Sequence, residues 1–432
     1  MHLLFAGALT LAQAVDFAMG HNATIAQQRA LVAQAQSQYV KQRSAALPGV
    51  NGQLQNSMSK SSNYNTYAAV GLPPASVQSQ NSASLGTAYT FNGGLSFLQE
   101  LLAKQQFEQA KANLQQSQKQ VTDSVSDAFF LLANKKEAVR LDQGDLQYQR
   151  GLLSVAQAKE RAGVAAGVDV LSASSAVARS NYTLEAAAAD VDNARESLAQ
   201  TIGASLDTQF DVPQVVAQPA LPRQALGQLI EIAQGNRPEI ASAQDAVAVA
   251  QTNRRSADTD LLPQIQTVAQ FGNQSTFSSI GASVPGGLPR SPGGYWLLGV
   301  TSTMTLPLWD WGARHANHVN LNEQIAAAQT NLDSVRSQVE LDVRQQYRAA
   351  QTALAQLASA QDESRYAQEA ARVAQLQYQH GLITLVDVQQ RQQSALSAQT
   401  DLYNARVTYA GAIVKLRVAL GIYDPHAAVA DL

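Results

Sequence analysis

Two aspartates occupy equivalent positions in two similar stretches of the chain. Asp169 lies six residues after Gly163, Asp387 lies six residues after Gly381, and a valine follows each aspartate. The two stretches are 218 positions apart. A carboxylate just after a glycine turn can cap the next helix, because it accepts hydrogen bonds from free backbone N–H groups. Carboxylates that are brought together would instead repel one another and attract cations. These residues alone leave both interpretations open.

A second pair with possible chemistry is His315 and His318, which a helix would place on one face as potential metal ligands. No third ligand stands nearby, so we favour exposed histidines and predict no metal site. The chain also lacks a glycine-rich phosphate loop, a nucleophile elbow and a zinc-protease helix. No carboxylates show a recognisable acid–base arrangement. The sequence therefore predicts neither an enzyme nor a bound cofactor.

The composition restricts the class of protein further. Of 432 residues, 15% are charged and 6% aromatic, and the net charge of −3 does not favour a nucleic-acid partner. Cysteine is absent, which excludes disulfides, thiolate catalysis and cysteine-ligated metals. The first twenty residues imitate a secretory signal but lack a basic region. We expect that a true signal peptide is missing upstream.

An internal duplication organises the whole chain. At an offset of 215, residues 11–26 align with 226–241, and from residue 91 onward the offset is 218. The alignment extends to Gly203 and Gly421. The predicted organisation is a first repeat at 1–210, a linker at 211–225 and a second repeat at 226–432.

Long helices are the main predicted element of each repeat. All thirteen prolines lie outside residues 75–212 and 308–424, and apolar residues in the second span recur at steps of three and four, as in a coiled-coil seam. At about 1.5 Å per residue, each long helix would extend about 100 Å. Each turns at its glycine and returns as a helix of about half that length. The predicted long helices are about 95–161 and 313–379, the tip turns about 161–168 and 379–386, the returning helices about 169–203 and 387–421, and the preceding helices about 11–46 and 226–261.

Four segments between the helices alternate between apolar and neutral polar side chains. Segments of about ten residues with one face of each kind are typical of transmembrane β-strands. Aromatic residues at strand ends would form a girdle at the membrane interface, and we assign Tyr295, Trp296, Trp309 and Trp311 to it. Soluble amphipathic hairpins remain the alternative. The predicted strands are 50–58, 84–91, 264–272 and 296–308, in hairpins at about 47–93 and 262–309 with connections at about 61–81 and 276–294.

One chain cannot complete either part of this architecture. Its four helix-lengths in cross-section are too few to enclose a core, so neighbouring chains have to cover the long seams. Four strands also cannot close a barrel, and open strand edges are not tolerated inside a bilayer. The sequence therefore predicts an oligomer that pools its strands.

The sequence resembles the TolC-type outer-membrane efflux protein family over essentially its whole length. The residues that carry the resemblance are LTLAQAVDFAMGHN, the two Leu-Pro strand entries, LPLWDWGAR, VELDVRQQYRAA and the two glycine-turn sequences KERAGVAAGVDVL and YQHGLITLVDVQQ. The resemblance implies a mainly α-helical fold with a transmembrane β part. It implies a trimeric α-helical barrel of long coiled-coil helices, continuous with a 12-stranded β-barrel to which each protomer contributes four strands.

The resemblance also implies a location, partners and a function. The protein would lie in the bacterial outer membrane, with its helices in the periplasm. Its partners would be two further copies in a homotrimer, a periplasmic adaptor (membrane fusion) protein, an inner-membrane pump and outer-membrane lipid. It would be the exit channel of a tripartite efflux or type I secretion system, exporting small molecules or polypeptides. The alternative is a soluble oligomeric coiled-coil scaffold, which would explain the helices but not the alternating segments.

By the same resemblance, the glycine turns would be helical tips at the periplasmic mouth of the channel. Asp169 and Asp387 would lie just inside, where three protomers would bring six carboxylates together in a cation-preferring constriction. Tyr378 matches the family's gate tyrosine, and Asp169 matches its partner. Ile383 and Gln390 stand where the family has charged residues, which indicates a mouth that closes more weakly. The tip residues expected to bind the adaptor are Arg161, Gly163, Val164, His380, Gly381 and Leu382.

Overall fold

A computed structural model describes residues 8–62, 75–164, 166–213, 219–280 and 293–422. Helices and strands recur in the same order in both halves of the chain. A 3₁₀ turn, Thr259–Leu261, follows α6. The elements are α1 Leu11–His21, α2 Ala23–Ala45, β1 Gly49–Ser62, β2 Ala75–Phe91, α3 Leu95–Arg161, α4 Gly167–Ile202, α5 Leu226–Asn236, α6 Pro238–Asp258, β3 Gln264–Ile280, β4 Gly293–Thr305, α7 Ala313–Gln379 and α8 Leu385–Ala419.

The chain divides into two compact units. The helical unit contains the glycine turns and the apolar helix cores. The sheet unit contains all four strands. The helical unit comprises Met1–Val32, Gln109–Gln244 and Thr330–Leu432, and the sheet unit comprises Ala33–Glu108 and Asp245–Gln329.

The two long helices have the bounds that the sequence predicts. α3 and α7 contain 67 residues each, without an internal proline. The apolar residues of α7 that recur at steps of three and four include Val343, Tyr347, Ala350 and Leu354. Leu354 is nevertheless 41% exposed, and Ala353 is buried in its place. Alternating steps of three and four average about 3.5 residues, whereas an α-helix has about 3.6 residues per turn. The apolar stripe therefore moves around the helix along its length, and the buried position changes by one residue. None of the described helices combines the length and hydropathy needed to cross a bilayer.

Each repeat has its own apolar core in the helical unit. Val125 and Leu198 are completely buried in the first core, and Val343 and Leu416 are completely buried in the second. These residues are equivalent at the offset of 218. The duplication in the sequence therefore corresponds to equivalent buried positions in the two cores.

The helices that precede the strands differ from prediction, because each is broken in two. Asn22 leaves the helical conformation, and its Oδ1 accepts hydrogen bonds from the N–H groups of Thr24 and Ile25 at 2.8 and 3.3 Å. Its Nδ2 also donates to the carbonyl of Thr201 at 2.8 Å. In the second repeat the break falls before Pro238, because proline suits the first position of a helix. These breaks allow α1 and α5 to end where the returning helices end.

The ends of the returning helices approach these breaks closely. Gly203, with φ 78°, follows α4, and a Cβ atom there would lie 2.4 Å from the carbonyl oxygen of His21. Gly421, with φ 80°, follows α8, and its Cβ would lie 2.8 Å from the Cβ of Asn236. Both positions therefore require glycine for its left-handed conformation and for space.

The four strands form one antiparallel sheet in the order β1-β2-β3-β4. Residues paired across neighbouring strands lie on the same face, so apolar residues of all four strands share one face of the sheet. The opposite face is mostly polar. This register confirms the two-faced strands that the sequence predicts. The rows on the apolar face are Val50, Thr87, Ala269 and Val300; Gly52, Leu85, Phe271 and Leu298; and Leu54, Ala83, Asn273 and Trp296.

Three strands, β1, β2 and β3, are longer than predicted, and β4 ends earlier than predicted. β1, β2 and β3 contain 14, 17 and 17 residues. They continue into Ser-, Asn- and Gln-rich sequence, because backbone hydrogen bonds hold an antiparallel ladder whatever the side chains. β4 ends at Thr305, before Pro307, which has no N–H to donate. The remaining parts of the predicted connections, 63–74 and 281–292, lie outside the described residues.

Candidate functional site at the helical tips

Two tight turns join the long helices to the returning helices. After α3, the N–H groups of Gly163 and Val164 donate back to carbonyls of the last helical turn, both at 2.9 Å. After α7, Gly381 and Leu382 make the equivalent bonds at 3.0 and 2.9 Å. This pattern is a Schellman motif, which needs a left-handed residue, and the two glycines have φ of 72° and 77°. The repeated glycine therefore ends each long helix sharply.

The tip turns carry exposed side chains at equivalent positions. Val164 and Leu382 are each 73% exposed. Arg161 and His380 are also exposed. Ala165, which belongs to the predicted first tip, lies outside the described residues. Each turn thus presents one apolar side chain beside a basic or titratable one.

Lys159 connects the two tip hairpins. Its Nζ lies 3.8 Å from the centroid of the Tyr378 ring and donates a hydrogen bond to the carbonyl oxygen of Tyr378. That carbonyl belongs to the last turn of α7, where free C=O groups and the helix dipole favour a cation. The ring adds cation–π attraction. No sequence pattern indicates this contact, since a lysine in the last turn of α3 is by itself an ordinary feature of a helix end.

Tyr378 lies in an apolar cluster to which both hairpins contribute. It is 5% exposed, and its hydroxyl has no hydrogen-bond partner among the described residues. Burial and, secondarily, the negative charge of Asp169 raise the pKa of Tyr378. Asp169 and Tyr378 are therefore brought near each other. Ile383 packs partly buried against the cluster. The buried members beside Tyr378 are Leu152, Ala156, Ala173, Ala374, Leu385 and Val388.

The two equivalent aspartates have different surroundings. Asp387 forms a capping box with Thr384: the Thr384 N–H donates to Asp387 Oδ2 at 3.1 Å, and the Asp387 N–H donates to Thr384 Oγ1 at 3.3 Å. Before Asp169 the cap position is Ala166, which makes no side-chain hydrogen bond. The sequence left open that each aspartate is the N-cap of its helix. Neither is, because each stands at the third position of its helix.

The capping box favours the ionised form of Asp387. Hydrogen bonds from the Thr384 side chain and backbone, together with the positive charge of Arg391, lower the pKa of Asp387. A carboxyl group whose pKa is lowered by folding stabilises the fold above its unfolded pKa, and this contribution is lost as pH falls through the folded pKa. The capping box therefore stabilises the fold less as the pH falls through the lowered pKa of Asp387.

Comparison with known proteins identifies the family. A family model described as outer membrane efflux protein matches residues 15–204 and again residues 229–422. The chain belongs to the outer membrane efflux protein family. It is therefore an outer-membrane protein, and its predicted fold class is confirmed.

Relatives of this outer membrane efflux protein include the pyoverdine export outer membrane protein OpmQ of Pseudomonas putida. The two are 26% identical over 303 residues, which cover 69% of this chain and 61% of OpmQ, less than two thirds of that relative's length. The solved outer-membrane channel CmeC of Campylobacter jejuni has a TM-score of 0.78 at 18% identity, covering 97% of this chain and 87% of CmeC. The open MtrE channel of Neisseria gonorrhoeae has a TM-score of 0.77 at 22% identity, covering 96% and 90%. These structures share the fold.

The aromatic residues assigned to the membrane interface of the efflux protein lie in and after β4. Trp296 lies within the strand and stacks on Phe271, with ring centroids 5.3 Å apart. Trp309 and Trp311 follow the strand and are 76% and 90% exposed. Tyr295 lies in β4, and its side chain is outside the described residues. Two of the four are therefore beyond the strand end.

The histidine pair of the efflux protein does not assemble a metal site in the part that the structure describes. His318 Nδ1 lies 3.8 Å from a carboxylate oxygen of Asp258. Within the described ranges, no group of three or more His, Cys, Asp or Glu side chains has the arrangement of metal ligands. His315 and His318 thus have no assigned role.

Proposed function

We propose that this protein is the outer-membrane exit channel of a tripartite efflux or type I secretion system. The observation that carries the proposal is the apolar face that continues across all four strands. Val50, Leu54, Leu298 and Val300 on this face are between 67% and 87% exposed. A continuous exposed apolar surface requires a cover, and lipid chains cover the outer face of a transmembrane barrel. A soluble scaffold does not account for this face.

A homotrimer would complete the barrel. β1 and β4 are the outermost strands of the four-stranded sheet, so each has an unpaired edge within one chain. Open edges are not stable in a bilayer, because their N–H and C=O groups have no water to bond. Three chains joined edge to edge would provide twelve strands. Exposed apolar residues of the long helices, such as Leu354, would be covered by the same association.

The helical tips would bind a periplasmic adaptor (membrane fusion) protein that leads to an inner-membrane pump. Supporting this, Val164 and Leu382 present equally exposed apolar side chains at equivalent turns. Buried apolar anchors with a polar rim are the usual basis of protein recognition. The cargo would be a small molecule or a polypeptide, with the pump selecting it.

Cysteine labelling tests the proposed topology directly, because the natural chain has no cysteine. Ser62→Cys, at the end of β1, is expected to react with a membrane-impermeant maleimide on intact cells. Ala166→Cys, at the first tip, is expected to react only after the outer membrane is opened. Labelling of neither site on intact cells, or of both, would contradict a channel with its helices in the periplasm.

Neutralising the two tip aspartates is expected to remove a cation preference of the channel. Three protomers would bring six carboxylates of Asp169 and Asp387 together, and such a group attracts cations. The test measures the reversal potential of Asp169→Asn/Asp387→Asn in planar bilayers under a salt gradient. Asp362→Asn is the matched control, since this exposed carboxylate pairs with Arg365 of the same helix. An unchanged reversal potential in the double variant would refute the constriction.

A further inference from the structure

A polar cavity of about 330 Å³ lies between α3, α4 and α8 in the helical unit. α3 contributes Asp142, Asp145 and Gln149 to its lining, and α8 contributes Gln389. Serine and threonine hydroxyls of α4 form much of the remainder. The cavity thus joins the first repeat to the second through oxygen-bearing side chains. None of the tip residues lines it.

Two oxygen-bearing groups in this cavity lack partners. Gln149 is only 8% exposed, and its Nε2 donates to Asp145 Oδ1 at 3.2 Å, but its buried Oε1 has no hydrogen-bond partner among the described residues. Within the same ranges, Asp142 makes neither a hydrogen bond nor an ion pair. Asp145 differs, because Gln149 and Ser180 both donate to it. Folded proteins rarely leave a buried acceptor unsatisfied.

Like charges also face this cavity. Asp142 and Asp145 both line it and stand three residues apart on α3, so their negative charges repel each other on one side of the helix. A positive ligand would relieve both the repulsion and the unsatisfied oxygen of Gln149.

We propose that this cavity is a divalent-cation site and that Ca²⁺ fits it best. Ca²⁺ accepts about six to eight oxygen ligands from carboxylates, amide carbonyls, hydroxyls and water in a flexible geometry. The Asp142 carboxylate and Gln149 Oε1 would be the principal ligands, and Ser172, Ser175 and water would complete the shell. Mg²⁺ demands near-ideal octahedral geometry and keeps more of its water, so it fits this set less well.

The bound ion would connect α3 to α4 away from the tips, because the residues proposed to ligate it belong to these two helices. It would stabilise the packing of this pair. Since the site has only two carboxylates, its dissociation constant is expected at about 10⁻⁴–10⁻³ M, as in weak extracellular calcium sites.

Arg179 provides a test of the sign of the ligand's charge. It lines the cavity, is exposed, and makes no ion pair in the part of the chain that the structure describes. Its guanidinium opposes a cation and would attract an anion. Arg179→Gln should therefore strengthen binding of a cation and weaken binding of an anion.

The experiment is thermal unfolding of the purified full-length protein in detergent, followed by circular dichroism. CaCl₂ is varied from about 0.1 to about 10 mM, a range that brackets the expected affinity, with NaCl added to hold ionic strength constant. The midpoint temperature is expected to rise by about 2 °C in the natural protein. The rise should disappear in Asp142→Asn and increase in Arg179→Gln.

Two controls locate the effect. Asp207→Asn removes an exposed carboxylate outside the cavity and should retain the calcium-dependent rise. Asp169→Asn/Asp387→Asn should retain it as well, because these residues lie at the tips. The proposal is wrong if the natural protein shows no rise beyond the NaCl control or if Asp142→Asn keeps it. It is also wrong if Arg179→Gln abolishes the rise, or if only the tip double variant does so.

Discussion

Replacing Lys159 with methionine is expected to loosen the two tip hairpins and to raise the conductance of the resting channel. The ammonium group makes a charge-assisted hydrogen bond to a helix-end carbonyl and a cation–π contact with Tyr378. After allowance for the partial exposure of Lys159, the two contacts together are worth about 2 kcal/mol. Such a loss increases local opening about 30-fold. Methionine retains an unbranched apolar stem against the ring.

Hydrogen exchange and single-channel recording measure this effect. Backbone amides near 152–164 and 374–388 should exchange faster in Lys159→Met, and the resting conductance should increase. Arg372→Gln is the matched control, because this exposed cation pairs with Glu369 of its own helix and does not join the hairpins. If Lys159→Met exchanged as slowly as the control, the proposed connection between the hairpins would be wrong.

Tyr378→Phe distinguishes the ring of this tyrosine from its hydroxyl. The hydroxyl is buried and has no partner among the described residues. Removing such a group is close to neutral or slightly stabilising, whereas the phenyl ring still faces Lys159. We therefore expect Tyr378→Phe to exchange at the natural rate. A large increase in exchange would show that the hydroxyl, rather than the ring, holds the tips together.

Gly203→Ala is expected to cause the largest loss of stability among the variants considered. Its φ of 78° is unfavourable for alanine, which costs about 1–2 kcal/mol. The new Cβ would also lie 2.4 Å from the carbonyl oxygen of His21. Displacing this packed backbone would add a cost of about 1–3 kcal/mol. The expected total is about 3 kcal/mol.

Gly163→Ala separates these two costs. Gly163 has a similar φ of 72°, but a Cβ atom there has no neighbour within 4 Å. Its substitution should therefore cost only the conformational part, about 1 kcal/mol. Urea denaturation of both variants, followed by circular dichroism, gives the comparison. Equal losses for the two variants would show that the contact with His21 can relax without cost.

Local patterns in the sequence determined the elements of this protein and their order. The absence of proline and the spacing of apolar residues defined the ends of α3 and α7, because helix formation depends on neighbours a few residues apart. The glycines that end these helices were identifiable for the same reason. Alternation of side chains determined which face of each strand is apolar, since successive residues of a strand point to opposite faces.

Contacts between distant residues were decided only in the tertiary structure. Whether a tip aspartate has a capping partner was still a local matter, because Thr384 and Ala166 differ within one turn of Asp387 and Asp169. By contrast, three features could not be predicted from local sequence: the placement of Lys159 over Tyr378, the approach of Gly203 to His21 and the assembly of the polar cavity. Each brings together helices that are far apart in the chain, and no local spacing encodes how their side chains meet. The sequence by itself therefore determined the family, the helices and the strands, whereas packing between helices decided which residues hold the tips together.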